Sequence, residues 1–351
     1  MFLKAQVLTG INQMEMADVE TPRIEKDTEV LVRVLEVGVC GSDVHYYETG
    51  KIGSQVVSYP YRVGHECSGV VEAVGAGVDR VKVGQTVVID PATVCFKCDQ
   101  CLSGRENTCR ELTFLGCPGQ AEGCLCEYIV MDQTSCFPTN GGITPEQGTL
   151  CEPFAIGVYA VQQAGLEKGA SIAILGSGPI GLSCMVAAKA EGITDIYMTD
   201  KIAERVDVAA KNGAVWAGNP ETEDVVKAIY EKQPGGMDVV FECAGEQDTI
   251  DQGIELLKPG GKIMVIGIPR VDRVCYDADN SRRKEITVIN VRRQNGCTQK
   301  AIDLIASGKA DVDFMVTHRF DFTQSKEAFD LVAGYKDGVV KAIIKLQRGQ
   351  M

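Results

Sequence analysis

The sequence predicts a protein of two domains, one rich in β-strands and one in which strands and helices alternate around a parallel sheet. Its 351 residues are enough for two domains of ordinary size. Up to about residue 150, short β-branched runs are bounded by glycine, which is typical of a barrel-like β domain. From Ala170 onwards, apolar strands alternate with helical periods, which is the pattern of α/β units.

Composition excludes several classes of partner. Lys and Arg total 35 and Asp and Glu total 48, so the formal net charge is −13. A chain this acidic is a poor candidate for binding nucleic acid or an anionic membrane, and we expect neither partner. The longest uncharged stretch, Gly169 to Ala188, is interrupted by Gly-Ser-Gly-Pro, which predicts strand, turn and helix instead of a membrane span.

The fifteen cysteines point to metal binding and not to disulfides. The N-terminal MFLKAQVLTG has no apolar segment long enough for a signal peptide, so we expect a cytoplasmic protein. Structural disulfides are rare in that compartment, where clustered cysteines are typical of metal sites.

Three segments of the first domain have the pattern of strands. Residues 28–38 alternate apolar and polar side chains for most of their length, which predicts a half-buried strand. The runs 67–75 and 84–90 are short, rich in β-branched residues and bounded by glycine. Helical periods are few in this part of the chain, so we expect a sheet to dominate it.

The stretch 38–69 is rich in side chains that bind metal or relay protons. They are Cys40, Ser42, Asp43, His45, His65 and Glu66. Thiolate, imidazole and carboxylate are zinc ligands, and three such ligands leave a fourth position open, as in catalytic sites. The alternative is an ordinary buried cysteine and a core histidine, but two of the chain's three histidines fall here. The sequence therefore favours a catalytic zinc site.

A second group of cysteines has the spacing of a structural zinc site. It consists of Cys95, Cys98, Cys101 and Cys109. Four thiolates in fifteen residues can surround zinc tetrahedrally with no open position. An iron–sulfur cluster is one alternative, but its common bacterial motif has three residues before the last cysteine and a proline after it, whereas here seven residues precede it and Arg110 follows. Two disulfides are the other alternative, which the expected compartment disfavours.

The segment 114–126 is rich in glycine and is predicted to form a loop. Its cysteines match no metal-site spacing, so we expect them to be core or loop residues. Further on, Pro153 suits the first turn of a helix over 154–165. Glu152, just before it, either faces the metal or favours the helix N-terminus, and the sequence alone does not decide between these roles.

The α/β domain carries a dinucleotide-binding fingerprint. After the predicted strand 171–175 come Gly176, Gly178, Pro179, Ile180 and Gly181, followed by an alanine-rich helix. The three glycines permit a tight turn, close approach of backbone to a pyrophosphate, and close packing of strand and helix.

Asp200 ends the next predicted strand, 194–199. An acid there accepts hydrogen bonds from the ribose hydroxyls and repels a 2′-phosphate, so NAD is favoured over NADP. The alternative role for Asp200 is a helix cap, and the adjacent cation of Lys201 weakens the preference for NAD. We place Lys201 and Arg205 in the same cofactor site.

Further strands and helices complete the predicted sheet. Apolar runs suited to parallel strands lie at 238–243, 262–267 and 285–290, with helical segments at 221–232 and 247–257. Ala244, Gly267 and Ile268 follow strand ends, where the ligand crevice of an open α/β sheet lies. A helix over 297–307 and a strand over 339–346 come last, and we expect that strand to return to the first domain.

The order of these motifs resembles that of the zinc-containing medium-chain dehydrogenase/reductase superfamily, and within it the sorbitol (polyol) dehydrogenases. The motifs are CGSD-x-H, GHE, the four-cysteine lobe, EP, GSGPIG and Asp200, and they span essentially the whole chain. The segment CGSDVHYYETGKIG is the part most similar to the polyol branch. The resemblance implies a GroES-like catalytic domain at 1–153 with its zinc lobe at about 95–109, a Rossmann NAD-binding domain at 154–292, and a return to the catalytic domain at 293–351.

The resemblance also implies roles for single residues. Cys40, His65 and Glu66 match the ligands of the catalytic zinc. Glu152 matches a carboxylate near the metal that in relatives ligates it or hydrogen-bonds beside it. Which of Glu66 and Glu152 is the resting third ligand stays open.

Other positions match the proton relay and the substrate pocket. Ser42 and His45 match the relay that carries the alcohol proton. Tyr46, Phe114 and Arg292 match pocket positions. Arg293 stands where sorbitol dehydrogenases usually have tyrosine, and its added cation would suit a substrate with a carboxylate, phosphate or sulfonate.

The predicted function is zinc-dependent oxidation of a secondary hydroxyl of a polyol, such as sorbitol or xylitol, to a ketose. NAD is the expected hydride acceptor, with two zinc ions per chain. The alternatives are the same chemistry on an acidic sugar derivative or threonine, and more remotely a non-catalytic zinc-binding relative. The resemblance further implies a homotetramer or homodimer.

Overall fold

The computed structural model describes residues 2–269, 271 and 273–346. These residues form two compact units. The first consists of the chain up to Glu152, Ala301–Ala306 and the chain from Val316, and the second of Pro153–Lys300 and Ser307–Met315.

The predicted boundary at 292 lies inside the second unit. Side-chain contacts explain why that unit continues to Lys300. The Cys297 thiol donates to Gln162 Oε1 at 3.2 Å, and Lys300 Nζ lies 3.0 Å from Glu191 Oε1.

Strands and helices are numbered separately in chain order. The strands are β1 (Phe2–Gly10), β2 (Gln13–Glu20), β3 (Glu29–Gly38), β4 (Lys51–Ile52), β5 (Gln55–Val56), β6 (Glu66–Val74), β7 (Thr86–Ile89), β8 (Ala92–Thr93), β9 (Thr113–Phe114), β10 (Tyr128–Asp132), β11 (Cys136–Pro138), β12 (Ser171–Leu175), β13 (Asp195–Thr199), β14 (Trp216–Gly218), β15 (Met237–Glu242), β16 (Leu257–Val265), β17 (Thr287–Asn290), β18 (Val316–Asp321) and β19 (Lys341–Lys345). The helices are α1 (Gly41–Thr49), α2 (Asp99–Leu102), α3 (Pro145–Ala164), α4 (Pro179–Ala190), α5 (Ala203–Asn212), α6 (Val225–Lys232), α7 (Gln247–Leu256), α8 (Ala278–Lys284), α9 (Thr298–Ala306) and α10 (Ser325–Ala333). Short 3₁₀ turns lie at Glu106–Thr108, Gln133–Ser135, Asp313–Met315, Phe322–Gln324 and Lys336–Gly338.

A seven-stranded sheet organises the first unit, in the order β11-β7-β6-β3-β19-β18 with β10 also paired to β3. The strands β3, β6 and β7 lie where the alternating and β-branched runs of the sequence predict them. Their inward side chains, including Val30, Val32, Val71 and Val87, belong to one buried apolar cluster. Burial of these side chains is what holds the sheet faces together.

The C-terminal strand β19 belongs to this same sheet. It pairs antiparallel with β3 and parallel with β18. The last strand therefore returns to the first unit, which is the topology that the sequence predicts.

The second unit has a parallel six-stranded sheet in the order β14-β13-β12-β15-β16-β17. This is the doubly wound dinucleotide-binding order, with its switch point between β12 and β15. Loops that follow β12 and β15 at this point flank the crevice in which such sheets bind ligands. The predicted fold class, a β-rich domain with an inserted Rossmann-type domain, is confirmed.

Helix α3 begins nine residues before the predicted helix over 154–165, so the prediction that Pro153 lies in the first turn is wrong. The sequence contains the true start signal. Thr144 and Gln147 form a capping box, in which each side chain accepts from the other residue's backbone N–H, at 3.2 and 3.0 Å. Pro145 occupies the first helical position, which suits proline. Glu152 is therefore inside the helix and cannot stabilise its N-terminus.

No helix within the described residues is long and apolar enough to cross a membrane.

Candidate active site

Neighbouring strand ends of the first unit build the candidate metal centre. Gly38 ends β3 and pairs with Glu66, the first residue of β6. A Cβ at Gly38 would lie 2.2 Å from Glu66 Oε2, so a larger residue would displace this carboxylate. Cys40 follows β3 as the N-cap residue of α1, and His65 precedes Glu66.

The donor atoms of Cys40, His65 and Glu66 all lie within 4.8 Å of one another. This spacing is close enough for small side-chain movements to place all three about one zinc ion, at about 2.0 to 2.3 Å. One thiol, one imidazole and one carboxylate also form a donor set that zinc prefers. The described residues therefore fit a zinc ion here.

A buried carboxylate orients the histidine. Asp43 is fully buried, and its Oδ2 lies 3.3 Å from His65 Nδ1, while its Oδ1 accepts from the backbone N–H of Gly64 at 3.2 Å. A proton on Nδ1 leaves Nε2 as the metal-binding nitrogen, as in carboxylate–histidine–zinc arrangements. Burial opposes the charged imidazole, but Asp43 and then Cys40 raise the pKa of His65 well above its usual value.

A buried lysine holds the third donor. Lys341 begins β19, is 1% exposed, and donates to both oxygens of Glu66 at 2.8 and 2.6 Å. It also donates to the carbonyl of Val39 at 3.2 Å. Although burial disfavours its charge, Glu66 and Cys40 raise the pKa of Lys341 above its ordinary value. A metal at this site would share Glu66 with the ammonium group.

Two predicted catalytic side chains lie on α1. The hydroxyl of Ser42 donates to Cys40 Sγ at 3.3 Å. His45 follows three residues later, so Ser42 and His45 lie on the same face of the helix.

Glu152 is buried within α3 and is not part of the three-donor cluster. Burial raises its pKa to about 7, with Glu66 adding to the rise while His65 and Lys341 oppose it. These couplings place Glu152 within electrostatic reach of the candidate metal ligands.

The four-cysteine lobe is also compact. Sγ–Sγ distances are 3.6 Å for Cys98–Cys101, 4.0 Å for Cys98–Cys109 and 3.5 Å for Cys95–Cys109. Four thiolates at about 2.3 Å around a tetrahedral zinc would be about 3.8 Å apart, so the lobe fits this ion. Backbone N–H groups of Arg110 and Cys101 lower the pKa of the Cys98 thiol to about 6, which favours the thiolate that zinc binds.

The glycine motif of the second unit has the close packing that a dinucleotide requires. Gly176 has a φ of 103°, in the region that favours glycine. A Cβ at Gly181 would lie 1.8 Å from the carbonyl oxygen of Gly176, so any larger residue would push helix and strand apart. Gly178 precedes α4, whose first residues are Pro179 and Ile180.

Asp200 lies beside this motif. Its Oδ2 accepts from the backbone N–H of Ser177 at 2.8 Å and its Oδ1 from that of Ile202 at 2.9 Å. Asp200 therefore contacts the glycine loop, but the N-cap of α5 is Ile202, so Asp200 is not the cap of that helix. Its contact with a ribose stays a prediction. Arg205 is buried near Gly178, with Nη1 3.3 Å from the position of a Cβ there. Lys201 is exposed and lies 3.9 Å from Glu221.

The loops after β15 and β16 pack against each other. A Cβ at Gly267 would lie 2.2 Å from the backbone nitrogen of Gly245. The backbone nitrogen of Ala244 would lie 3.1 Å from a Cβ built at Gly176. Ile268, which follows Gly267, is 50% exposed.

The predicted pocket residues divide between the units. Tyr46 and Phe114 are buried in the first unit, and the Phe114 ring centroid is 5.3 Å from that of His65. Arg292 and Arg293 follow β17 in the second unit. Arg292 is exposed, and Arg293 is half-buried with a φ of 52°.

Comparison with known proteins places the whole chain in one family. The model of the alcohol dehydrogenase GroES-like domain matches residues 26–141, and that of the zinc-binding dehydrogenases matches residues 179–307. The chain is 34% identical over 343 residues to a sorbitol dehydrogenase of Bacillus subtilis, covering 97% of each protein. It is 32% identical to an L-idonate 5-dehydrogenase of Vitis vinifera, over 87% of this chain and 85% of that one.

Solved structures of dehydrogenases also match the fold of this chain. A crystal structure of an Escherichia coli oxidoreductase of unknown specificity superposes with a TM-score of 0.93, at 32% identity, over 99% of this chain and 100% of that one. The chain belongs to the zinc-dependent medium-chain dehydrogenases. Zinc and NAD(H) are the cofactors of this enzyme.

Two polar residues of this medium-chain dehydrogenase, Lys341 and Glu242, were not predicted as site residues, and a third, Asp43, was noted in the stretch 38–69 without a role of its own. Asp43 stands next to the candidate ligands in CGSD, and its position in that motif is a usable signal. Lys341 interrupts the apolar run VVKAII, and a lysine in a buried strand signals a buried partner. Glu242 ends β15 fully buried, and its Oε1 accepts from the N–H of Ala244 and of Gly245 at 2.9 and 2.7 Å, so it fixes the loop of the dinucleotide crevice.

Proposed function

We propose that this enzyme oxidises a secondary hydroxyl of a neutral polyol to a ketone, with Cys40, His65 and Glu66 holding the catalytic zinc. The observation that carries the proposal is the buried donor cluster, in which Asp43 and Lys341 each orient one of the ligands. Zinc bound there supplies Lewis acidity, which makes the alcohol proton easier to remove. The four-cysteine lobe is proposed to hold a second, structural zinc ion.

Ser42 and His45 are proposed to move the alcohol proton. Ser42 accepts it, and His45 passes it towards solvent. Support comes from their shared face on α1 and from the contact of the Ser42 hydroxyl with Cys40. Glu152 is proposed as a second carboxylate that tunes the charge of the centre, and its electrostatic interactions with His65 and Glu66 support this role.

NAD is proposed to bind along the glycine motif and to accept the hydride. The proposed contacts are Gly176, Gly178, Pro179, Ile180, Gly181, Asp200, Lys201, Arg205, Ala244, Gly267 and Ile268. The carboxylate of Asp200 supports NAD over NADP, because a 2′-phosphate beside it would be repelled.

Tyr46 and Phe114 are proposed to line the substrate pocket. The sorbitol dehydrogenase of B. subtilis supports a polyol substrate. A second candidate is a sugar acid, which the grapevine L-idonate 5-dehydrogenase and the paired cations of Arg292 and Arg293 favour. Turnover of an aldonate without turnover of any neutral polyol would favour this second candidate.

A homo-oligomer, a tetramer or a dimer, is also proposed. The edge strand β17 supports it, because Val288 is 40% exposed there, and Val274 and Tyr276 in the segment between β16 and α8 are 40% and 51% exposed. We infer a cytoplasmic location from the cysteines, all fifteen of which are unbridged. Light scattering of Val288→Lys beside the unchanged protein tests the oligomer, which the substitution should dissociate.

The decisive experiment measures the initial rate of NADH formation by the zinc-loaded enzyme. The substrates are sorbitol, xylitol, galactitol, an aldonate, threonine and 2-butanol, each with NAD and with NADP. Turnover of one or more polyols with NAD, abolished by a chelator, is the expected result. Turnover of 2-butanol or threonine without any polyol would overturn the proposed substrate class.

A further inference from the structure

We propose that Gln55, together with Tyr46 and Cys117, forms a neutral hydrogen-bonding surface that recognises a substrate hydroxyl other than the one being oxidised. The inference rests on the proposed function and deepens it, because it names the group that separates a polyol from a simple secondary alcohol. Neither Gln55 nor Cys117 carries a site signal of its own in the sequence.

Direct contacts link the three side chains. The hydroxyl of Tyr46 donates to Gln55 Oε1 at 2.9 Å, and Gln55 Nε2 donates to Cys117 Sγ at 2.9 Å. Tyr46 and Cys117 are 4% and 3% exposed, so two buried side chains hold the half-buried amide from both ends. These two contacts therefore hold the amide in place between Tyr46 and Cys117.

Each end of the surface is linked to a residue that contacts a candidate metal ligand. Helix α1 begins directly after Cys40. Tyr46 follows Ser42 by four residues on this helix, so both side chains lie on one face of it. At the other end, the backbone N–H of Cys117 donates to the carbonyl of Phe114 at 3.1 Å. The Phe114 ring is in turn 5.3 Å from the ring of His65.

A short hairpin positions the glutamine. The strands β4 and β5 pair Ile52 with Gln55 and Lys51 with Val56. Successive residues of a strand point to opposite faces, so Gln55 faces Tyr46 while Val56 is 63% exposed. Val56 therefore provides a neighbouring control position on the same hairpin.

The hydrogen-bonding capacity of the three groups fits a hydroxyl. A primary amide has two N–H donors, and in the described part of the chain only Cys117 accepts from Gln55 Nε2. The other N–H of the amide can donate to the oxygen of an alcohol, so the amide matches a hydroxyl group. An alkyl chain offers no acceptor to that N–H.

The charge of the surface also selects among substrates. An amide, a phenol and a thiol are neutral at pH 7, so they offer no counter-charge to a carboxylate or phosphate. A neutral polyhydric alcohol is therefore the substrate class that this surface fits. Recognition of a sugar acid would require the cations of Arg292 and Arg293 instead.

The test replaces Gln55 by methionine, which has similar length and no hydrogen-bonding amide. We would measure kcat and KM for the best polyol and for 2-butanol with NAD. The ratio of kcat/KM for polyol over 2-butanol should fall about 10- to 100-fold, mainly through the KM of the polyol, because polar recognition of a hydroxyl is lost. Polyol binding to the enzyme–NADH complex, followed by cofactor fluorescence, should weaken in parallel.

Matched variants separate recognition from damage to the fold. Val56→Thr, on the same hairpin, should leave the ratio, the zinc content and the melting temperature unchanged. If Gln55→Met fails to fold, Cys117→Ala and Cys117→Ser replace it. Serine still accepts from the amide and should retain more of the selectivity than alanine.

Each outcome of these measurements either supports or overturns the proposed role of Gln55. An unchanged ratio in Gln55→Met, or an equal loss for both substrates, overturns the inference and leaves the proposed function intact. A wild-type enzyme that oxidises 2-butanol and no polyol overturns both. A selective loss on the polyol, with weakened polyol binding and normal zinc content, establishes the recognition surface.

Discussion

Lys341 gives the sharpest test of how the candidate metal centre is built. Lys341 and Glu66 are each 1% exposed, and the ammonium group contacts both carboxylate oxygens and the carbonyl of Val39. Replacing Lys341 by methionine leaves a buried carboxylate without its counter-charge. Removal of one partner from a buried ion pair costs about 3 to 5 kcal/mol, so we expect a loss of this size in the free energy of unfolding of the first unit.

The assay is equilibrium urea unfolding at pH 7 with a chelator present, so that no metal compensates Glu66. Lys345→Met is the matched control on the same strand, because Lys345 is 43% exposed and lies 3.5 Å from Glu36. Lys345 also lies 3.6 Å from Glu146, but its ammonium group keeps contact with water. Each of its ion pairs should therefore contribute less than the buried pair of Lys341, about 0 to 1 kcal/mol. The double variant Lys341→Met/Glu66→Gln removes both charges and should recover most of the loss.

Two results would refute this reasoning. The first is a Lys341→Met variant that is no less stable than Lys345→Met. The second is a double variant as unstable as Lys341→Met alone, since that would show that packing, and not the uncompensated charge, explains the loss.

The remaining predictions concern zinc and the cofactor. Cys40→Ala should lose the catalytic zinc and all turnover, whereas Cys98→Ala should lose the other zinc and melt at a lower temperature. Metal analysis and a thermal scan check both variants. Retained turnover in Cys40→Ala would contradict the proposed zinc ligands. Asp200→Ser should raise the NADP-to-NAD ratio of kcat/KM at least tenfold, a change of about 1.4 kcal/mol, because the carboxylate no longer repels a 2′-phosphate. Gly181→Ala should abolish measurable NAD binding in a cofactor titration and destabilise the second unit by about 1 to 3 kcal/mol, since its Cβ would lie 1.8 Å from a carbonyl oxygen. Gly235→Ala, whose Cβ meets no atom within 4 Å, should leave binding and stability unchanged, and equal losses in both variants would contradict the steric argument.

Local patterns explain why the sequence predicts so much of this protein. The cysteine lobe and the glycine motif are each confined to fewer than twenty residues, and their spacing alone restricts the chemistry. Strand β12 and helix α4 likewise follow from apolar runs next to glycine. Where function depends on neighbours in the chain, sequence reasoning succeeds.

Features that depend on distant contacts were missed. The pairing of β19 with β3 brings Lys341 to Glu66 across 275 residues, and no local pattern encodes that contact. Gln55 meets Cys117 across 62 residues for the same reason. The start of α3 is a different case, because its signal is local: Thr144 and Gln147 form the capping box, whereas Pro153 lies inside the helix.

The place of β19 in the sheet has a consequence for biosynthesis. A chain emerging from the ribosome has Cys40, His65 and Glu66 long before it has Lys341, which follows Glu66 by 275 residues. The second unit lies between these segments in the chain and can begin folding as soon as its own residues have emerged. Until β19 arrives, residues 36–38 of β3 lack one of their two partner strands, and Glu66 lacks the counter-charge of Lys341. The metal centre therefore reaches its final charge balance only after β19 has been translated, 275 residues after Glu66.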